Sequence, residues 1–451
     1  MSPPVVVGGL GVSGLGCALE LARRGIPFVA LEKETRAGGL ARSESLDGFR
    51  FDYGPHILLG VPAELRGLMD DLPGLDLQPR RGRSCVALNG GLRRVVPVPF
   101  QQHLNHLPLA VRGRALLELA GARRTNGSSP ASYGEYAIAR CGRSVYELFL
   151  RGYESKRLRY ALDDIPPDWT ERVPEPSLRS LVRPRWTSRT GENSAAESRF
   201  LYPRAGGIEA LPRGLARLLP AGRVRCDSEI VEIDARMKRL TLQSGRTMSY
   251  EQLVLSLPLP EVVARLRDPP GAVRAAAEDF VHTSIYAISF GVEGPIEVPW
   301  TLIRLPGNQH PFYRVSFPSR YAPDNAPEGH AVVVVETSHH PTRHRVTPEE
   351  ALRDARRGLT DLGVLHRGQR IVVEAVRDIR YGHVVHNHRT RASVRLALEY
   401  LNARSISTCG KYGLWKDMLM TGSILSGMEV ARGIADRVEA AQKKRSISVT
   451  A

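Results

Sequence analysis

Length, composition and charge set the first limits on this chain. Its 451 residues are about three times the roughly 150 residues of a common single domain, so we expect two or three domains. The 42% hydrophobic and 24% charged residues are typical of a globular protein and exclude collagen, coiled-coil and low-complexity classes. No run approaches the roughly 18 uncharged apolar residues of a membrane span, so none is predicted.

Cysteine placement and the N-terminal segment indicate the compartment. The five cysteines are scattered without a C-x-x-C pair, which argues against a disulfide framework and against a thiolate metal site. The N-terminal segment has no basic region before its apolar stretch, and glycines interrupt that stretch, so a cleaved secretory signal is not expected. We therefore predict a cytoplasmic protein.

The formal net charge of +16 allows two interpretations. Such a charge attracts either nucleic acid and anionic membranes, or small anionic substrates and cofactors. The arginines are spread along the chain, and the compact basic run Lys443–Arg445 lies in a polar segment, 441–451, that we expect to be a flexible tail. We therefore predict a small anionic ligand and no nucleic-acid partner. The sequence also allows a homo-oligomer.

A dinucleotide-binding pattern occupies the first part of the chain. Val5–Val7 predicts a buried strand, the glycine-rich run Gly9–Gly14 follows it, and a helical pattern covers Leu15–Arg24. A second strand, Phe28–Leu31, ends at the acidic residue Glu32. Strand, glycine loop, helix, strand and acid in this order are the context that the G-x-G-x-x-G pattern requires.

Each residue of this pattern has a physical role. Gly9 makes the tight turn, Gly11 lets backbone amides approach a pyrophosphate, and Gly14 lets helix and strand pack closely. The helix N-terminus supplies partial positive charge, and Glu32 accepts hydrogen bonds from a ribose. The contacts predicted for this part of the chain are Gly9, Gly11, Ser13, Gly14, Glu32 and Lys33.

Later motifs separate a flavin from a nicotinamide cofactor. Arg36–Arg42 places a glycine pair and an arginine just beyond the ribose-binding acid, and it resembles the second FAD motif of the glutathione-reductase-like flavoproteins, which include amine oxidases, protoporphyrinogen oxidases and UDP-galactopyranose mutases. Ser407–Lys411 and Thr421–Glu429 resemble the C-terminal strand, glycine and helix that complete their FAD site. The resemblance implies further FAD contacts at Gly38, Gly39, Leu40, Arg42, His56, Ile230, Gly410, Lys411, Met418, Ser423 and Ile424.

The resemblance narrows to the UDP-galactopyranose mutases, especially their eukaryotic type, and covers nearly the whole chain. It is carried by the order of the segments Phe51–His56, Pro97–Gln101, Trp169–Pro174, Phe200–Gly207, Pro311–Arg314, Ser319–Pro323, Tyr381–Gly382 and Gly410–Asp417. It implies an α/β fold in which a Rossmann-type FAD-binding domain carries an inserted helical domain and an antiparallel β-sheet substrate domain. The predicted divisions are FAD-binding residues 1–75, 198–280 and 388–440, helical residues 76–197, sheet residues 281–387 and the tail 441–451.

Local patterns fill these divisions. Helices are predicted at 112–124, 133–151 and 349–362, and strands at 224–235, 238–243, 252–256, 285–291, 312–317 and 331–337. A Pro-, Ser- and Arg-rich stretch, 183–198, predicts a mobile linker.

The mutase resemblance also implies chemistry. In the mutases, reduced FAD attacks the anomeric carbon of a nucleoside-diphosphate hexopyranose through its N5 atom and expels the nucleoside diphosphate. The flavin-bound sugar opens and recloses as a furanose, and the diphosphate then displaces the flavin to give the product. NAD(P)H is a candidate external reductant. The departing diphosphate needs cations more than it needs a strong base. The resemblance places catalytic roles at His56, Arg172, Arg314 and Tyr321, and further substrate contacts at Gln101, Glu154, Arg304, His383 and Asp417.

Several positions depart from the mutase pattern. Aromatic residues and an asparagine that recognise the nucleotide in the family are replaced here by Val98, Glu154, Leu158, Leu302, Arg304, His383 and Asp417, and an arginine is replaced by Lys411. We therefore expect either an altered nucleotide or a different anionic substrate, and not UDP-galactopyranose itself.

Two other function classes stay open. One is an FAD-dependent oxidase or dehydrogenase of the desaturase or alcohol-oxidase type; an amine oxidase is disfavoured because no lysine lies between Lys238 and Lys411. The other is a non-catalytic or nucleic-acid-binding protein that kept the fold, which the intact cofactor motifs disfavour. No metal is expected, since the cluster His383–His388 has no acidic partner nearby. For His56, a turn-stabilising imidazole is the alternative to a cofactor contact.

Overall fold

The computed structural model describes residues 5–122, 129–167, 169, 173–174 and 197–450. Arg172 and most of the linker predicted at 183–198 lie outside the described residues. In the part of the chain that is described, no helix is both long and apolar enough to cross a membrane.

A parallel sheet forms around the first strand. Among the described residues it has five strands, in the order Ile406–Thr408, Leu253–Leu255, Val5–Gly8, Phe28–Leu31 and Val224–Arg225. Val5–Gly8 is central and buried on both faces, which explains its unbroken apolar run. The strands predicted at Val5–Val7 and Phe28–Leu31 are confirmed.

Two layers cover this sheet. Val5 and Val7 face a core shared with the helices Val12–Arg23 and Met420–Thr450. Val6 faces the opposite core, which is closed by the helix Leu259–Ala264 and by an antiparallel sheet. The strands of that antiparallel sheet are Ile230–Asp234, Arg239–Leu242 and Thr247–Ser249.

A second, larger sheet stands beside the first. Its described strands run in the order Ile371–Val384, His282–Glu293, His330–His339, Arg314–Ser316, Leu302–Arg304, Leu77–Ala87 and Val95–Pro97, and Glu197–Pro203 pairs with Leu77–Ala87. The strands Leu77–Ala87 and Val95–Pro97 lie within residues 76–197, for which the sequence predicts mostly helices. These strands are not predicted because arginines and a glycine interrupt their periodicity, which then gives no clear strand signal. The long strand Ile371–Val384 was also not predicted individually, since its faces are only partly buried.

The two faces of the large sheet differ in chemistry. Tyr286, Ile288 and Val335 lie in an apolar core against the helix Pro348–Asp361. Their neighbours point to the other face, where Ala287 packs near Leu40 and Tyr53 of the N-terminal segment. That second face therefore meets the glycine-rich loops that follow the first strands.

The helical insertion has its own core. Its helices are Leu109–Ala122, Tyr133–Cys141, Arg143–Val145, a π-helical turn Tyr146–Leu150, and Arg151–Leu158. The continuous helix predicted at 133–151 is wrong, because Gly142 has φ +82° and interrupts it.

The remaining elements are short, except at the C-terminal end. The helix that begins at Met420 continues to Thr450, so the backbone at 441–450 is helical where the sequence predicted a flexible tail. The hairpin Ser43–Leu46 and Phe49–Asp52 precedes the large sheet. The other helices are Ala63–Asp70, Ala210–Arg217, Gly271–Ala276, Thr390–Asn402 and Gly410–Gly413, with 3-10 turns at Leu88–Gly90, Phe100–Gln102, Leu104–His106, Leu162–Asp164, Ala277–Asp279, Pro318–Arg320 and Pro323–Asn325.

Candidate functional site

Separate glycine motifs meet at the N-terminus of the first helix. Val12–Arg23 begins after Gly11, and no side chain caps its first turn. Gly11 and Gly38 form an isolated parallel bridge, and a Cβ at Gly39 would lie 2.9 Å from the Cα of Gly11. The two loops therefore touch through backbone, and the uncapped amides of the helix stay available to an anion.

The C-terminal motif joins the same place. The backbone N–H of Gly410 donates to the Oγ of Ser426 at 3.1 Å. Gly410 has φ +78°, and a Cβ there would collide with the side chain of Ser13. Ser423 and Ile424 are buried in the last helix, and Met418 lies just before that helix begins. The predicted convergence of the N-terminal and C-terminal motifs is therefore present in the structure.

Glu32 occupies the end of the second strand and is 6% exposed. Its Oε2 accepts the backbone N–H of Leu10 at 2.6 Å, and its Oε1 accepts the N–H of Glu34 at 3.1 Å. The carboxylate thereby holds the glycine loop and keeps free acceptor positions for hydroxyl groups. Lys33, in contrast, is exposed and lies 3.9 Å from Glu34.

Residues of the second loop link the glycine motifs to the large sheet. The Nε of Arg42 donates to the carbonyl of Gly39 at 3.0 Å, and its guanidinium lies 5.5 Å from the ring centre of Tyr53. Leu40 packs against the second face of the large sheet. Ile230 is buried at the start of its strand, where it lies against Gly8.

These contacts fit a dinucleotide cofactor. The open helix N-terminus and the backbone approach of Gly11 and Gly39 suit a pyrophosphate, and Glu32 suits a ribose. The Nδ1 of His56 adds a buried polar atom that has no hydrogen-bond partner among the described residues. The residues present therefore provide the donors and acceptors that such a cofactor needs.

A charged row crosses the second face of the large sheet. In the strand register, Arg304 lies opposite Arg314, and Arg314 lies opposite Glu336. Arg314 forms a bidentate ion pair with Glu336: its Nη2 donates to Oε1 at 2.7 Å, and its Nε donates to Oε2. Glu336 is 3% exposed, so this pair is shielded from water on the carboxylate side.

A chain of hydrogen bonds leads from Glu336 to the helical insertion. The hydroxyl of Tyr313 donates to Oε1 of Glu336 at 3.2 Å and lies 3.2 Å from Nε2 of His383. Nη1 of Arg157 lies 3.4 Å from Nδ1 of His383, and its Nε donates to Glu154 at 2.7 Å. Arg157 of the helix Arg151–Leu158 therefore meets residues of the large sheet in one polar cluster.

Lys411 and His56 complete this cluster. Lys411 lies 3.3 Å from Asp417, so these two predicted contact residues form an ion pair with each other. A Cβ at Gly54 would lie 3.7 Å from Oε1 of Glu336 and 3.9 Å from Cε1 of His56, which places His56 beside the ion pair.

Burial and nearby cations set the protonation states. Burial lowers the pKa of His56 to about 4, and Lys411 and Arg314 contribute to that shift against the opposing effect of Glu336. Burial, with Arg157, Lys411 and Arg314, also holds the pKa of His383 well below its usual value. Burial opposes the charge on Arg314, but Glu336 outweighs it and raises the pKa of Arg314. Both imidazoles are therefore neutral beside a charged arginine.

Some predicted site residues take other positions. The side chain of Tyr321 is buried, its hydroxyl donates to the carbonyl of Thr301 at 3.4 Å, and its ring lies 5.4 Å from that of Phe200. Gln101 is buried in the turn Phe100–Gln102. The structure therefore makes Tyr321 a packed residue next to the cluster, while its predicted substrate contact stays a prediction.

Sequence reasoning missed several members of the cluster, namely Glu336, Tyr313 and Arg157. A signal for Glu336 was present: it is a single acid in the apolar strand His330–His339, where a buried charge needs a partner. In the described part of the chain, no group of three or more His, Cys, Asp or Glu side chains is arranged to hold a metal ion.

Comparison with known proteins agrees with this architecture. Among curated proteins, a zeta-carotene-forming phytoene desaturase of Myxococcus xanthus is 26% identical over 316 residues, 62% of this chain and 58% of that protein. Protoporphyrinogen oxidase 2 of Arabidopsis thaliana is 21% identical over 256 residues, 51% of this chain and 50% of that protein. The chain thus spans about half the length of the curated relatives it matches.

A solved structure extends the similarity to nearly the whole chain. The crystal structure of a reduced UDP-galactopyranose mutase superposes with a TM-score of 0.87 at 26% identity, covering 96% of this chain and 94% of that one. The predicted α/β fold class is confirmed by this match. Residues 12–435 match the family described as flavin containing amine oxidoreductase, and the chain belongs to that family.

Proposed function

We propose that this chain is an FAD-dependent mutase that converts a nucleoside-diphosphate hexopyranose into its furanose form, with a substrate other than UDP-galactopyranose. One observation carries the proposal: the face of the large sheet that meets the glycine loops bears a row of charged residues, including Arg314 and Glu336. A site lined in this way suits a polar anion better than it suits a long hydrocarbon.

The cofactor and its redox state come first in the proposal. FAD would lie with its pyrophosphate at Gly11 and Gly39 and its ribose at Glu32, next to Gly410. When bound in its reduced form, FAD supplies a nucleophilic nitrogen for the anomeric carbon. The chain itself binds, orients and shields the substrate.

The role of Arg314 follows from its hydrogen-bond inventory. A guanidinium has five N–H donors in a planar fork. Glu336 takes one donor of Nε and one of Nη2, which leaves the edge formed by Nη1 and Nη2 for an incoming anion. An arginine held in this way can clamp phosphate oxygens in bidentate fashion as negative charge develops on the leaving group. Arg172 is proposed as the second clamp, on the motif position that it shares with the mutases.

The remaining cluster supports a changed substrate. Glu154 is paired with Arg157, and Asp417 is paired with Lys411, at positions where the mutases recognise the nucleotide. Ion-paired side chains at these positions offer no aromatic ring on which a uracil could stack. This arrangement supports a different nucleotide or a differently placed sugar.

The decisive experiment is an anaerobic assay of nucleoside-diphosphate hexopyranoses with dithionite-reduced enzyme, and with NAD(P)H as an alternative reductant. Under the proposal, the product is an isomer of the substrate and the oxidised enzyme is inactive. Inactivity of the reduced enzyme on every diphospho-sugar tested would reject the mutase assignment.

A second candidate is an FAD-dependent oxidase or dehydrogenase of the desaturase or alcohol-oxidase type. Its support is the similarity to the phytoene desaturase and to the protoporphyrinogen oxidase. The same assay separates it, because an oxidase works from oxidised FAD and forms hydrogen peroxide in each turnover.

A further inference from the structure

The guanidinium of Arg314 is fixed by contacts within the protein. Its Nε and Nη2 both donate to Glu336, and its guanidinium lies 5.4 Å from the ring centre of Tyr313. These contacts fix the plane of the fork, and the side chain keeps 21% of its surface exposed. The exposed part belongs to a group whose orientation is already set.

Glu336 is in turn fixed by the hydrogen bonds behind it. Oε1 accepts from Arg314 at 2.7 Å and from the hydroxyl of Tyr313 at 3.2 Å, and Oε2 accepts from Arg314. A carboxylate has about four acceptor positions, so most of its capacity is used. A carboxylate engaged in this way cannot readily take a proton from a substrate.

The neutral state of His383 fixes the direction of the chain. Arg157 can only donate, so Nδ1 of His383 accepts from it and the ring proton lies on Nε2. Nε2 therefore donates to the hydroxyl oxygen of Tyr313, whose own proton is directed to Glu336. Every link has one donor and one acceptor, and the order Arg157, His383, Tyr313, Glu336, Arg314 is internally consistent.

We infer that Glu336, Tyr313 and His383 are positioning residues that hold Arg314 with its Nη1 and Nη2 edge open to a diphosphate. The inference rests on the proposed function for the identity of the anion. This role differs from simple charge balance, because the three residues strengthen diphosphate binding by orienting the guanidinium of Arg314 and not by neutralising its charge. It also couples the helical insertion, through Arg157, to the strand that carries Arg314.

The test measures binding of inorganic pyrophosphate to the FAD-loaded protein by calorimetry, which needs no turnover. Tyr313→Phe and His383→Phe break the chain and are expected to weaken binding about tenfold, a typical effect of losing hydrogen bonds to charged groups. His383→Gln keeps one acceptor and one donor and should bind within about twofold of the wild type. Tyr286→Phe is the matched control, since that hydroxyl donates to the carbonyl of Val346 on the opposite face of the sheet.

Glu336→Gln separates orientation from charge. Removing a negative charge beside Arg314 should tighten pyrophosphate binding if the acid only neutralises the arginine. Orientation predicts the opposite sign, a weaker complex and a lower kcat for isomerisation with an unchanged pH profile. Thermal unfolding of each variant, compared with that of Tyr286→Phe, identifies a loss of binding that comes from misfolding.

The outcomes are distinct for the two proposals. Wild-type affinity in Tyr313→Phe and His383→Phe, or tighter binding in Glu336→Gln, overturns the positioning role and leaves the mutase assignment intact. The predicted binding pattern without any isomerase activity supports the positioning role and rejects the mutase. Failure of the wild-type protein to bind pyrophosphate overturns the positioning role, and the isomerase assay then decides the mutase assignment separately.

Discussion

Replacing Glu32 with alanine tests the dinucleotide site directly. Oε2 accepts the N–H of Leu10 at 2.6 Å, and Oε1 accepts the N–H of Glu34 at 3.1 Å. Since a carboxylate has about four acceptor positions, roughly two remain for the hydroxyls of an adenosine ribose. The side chain therefore serves the glycine loop and the cofactor at the same time.

The two contributions can be estimated separately. Leaving backbone N–H groups without an acceptor costs about 1–3 kcal/mol each in the stability of the apoprotein. Losing ribose hydrogen bonds to a charged acceptor removes about 1.5–3 kcal/mol from FAD binding, which raises Kd about 10- to 150-fold.

The assay is a titration of apoprotein with FAD, followed by quenching of flavin fluorescence, together with urea unfolding of the apoprotein. Glu374→Ala is the control, because Glu374 also loses a hydrogen-bonded partner but lies away from the glycine loops. It stands on the edge strand Ile371–Val384 and pairs with Arg356 of the helix Pro348–Asp361. If folded Glu32→Ala protein binds FAD as tightly as the control, the assignment of Glu32 to the ribose is refuted.

Other perturbations follow from the same contacts. Arg314→Lys keeps the charge but loses the fork, so calorimetry should show pyrophosphate binding weakened about tenfold, with none left in Arg314→Ala. Gly410 has φ +78°, and the Cβ of Gly410→Ala would collide with the side chain of Ser13. Because both residues lie at the glycine loops, the flavin-to-protein ratio of the purified variant should fall well below that of the wild type. Burial raises the pKa of Asp52 from 3.8 to about 6, despite hydrogen bonds from Ser43 and Tyr202. Its protonated form is favoured on folding, so the free energy of unfolding should decrease as pH rises from about 4 to 6, by at most about 3 kcal/mol. Asp52→Asn should lack that slope in urea unfolding; an identical pH dependence in both proteins would contradict the assignment.

The parts of the structure that follow from local patterns were predictable. The strands at Val5–Gly8 and Phe28–Leu31 and the glycine loop between them combine buried apolar runs with a turn that only glycine allows, and they lie where the sequence placed them. The resemblance to known flavoproteins also drew attention to Gly410, which lies against Ser13 in the structure although no local rule connects the two segments.

The parts that depend on long-range pairing were not predictable. Leu77–Ala87 is a strand because Glu197–Pro203 and Leu302–Arg304 pair with it, and its own sequence is rich in arginine. Glu336 could be recognised as unusual in an apolar strand, but its partner Arg314 is set by the register between two strands. Such a register depends on the whole sheet, so it cannot be predicted from the sequence of either strand alone.

The order of strands in the parallel sheet has a consequence for biosynthesis. Val5–Gly8 leaves the ribosome well before its neighbour Leu253–Leu255 and, beyond that strand, Ile406–Thr408. The glycine loop therefore lacks its final neighbours until Ile406–Thr408 has been translated. A truncated product that stops before Ile406 would carry the complete N-terminal fingerprint and still lack Gly410 and the last helix. We therefore expect flavin to bind only after Gly410 and the last helix have been translated. Bound flavin would then indicate that translation has reached this segment.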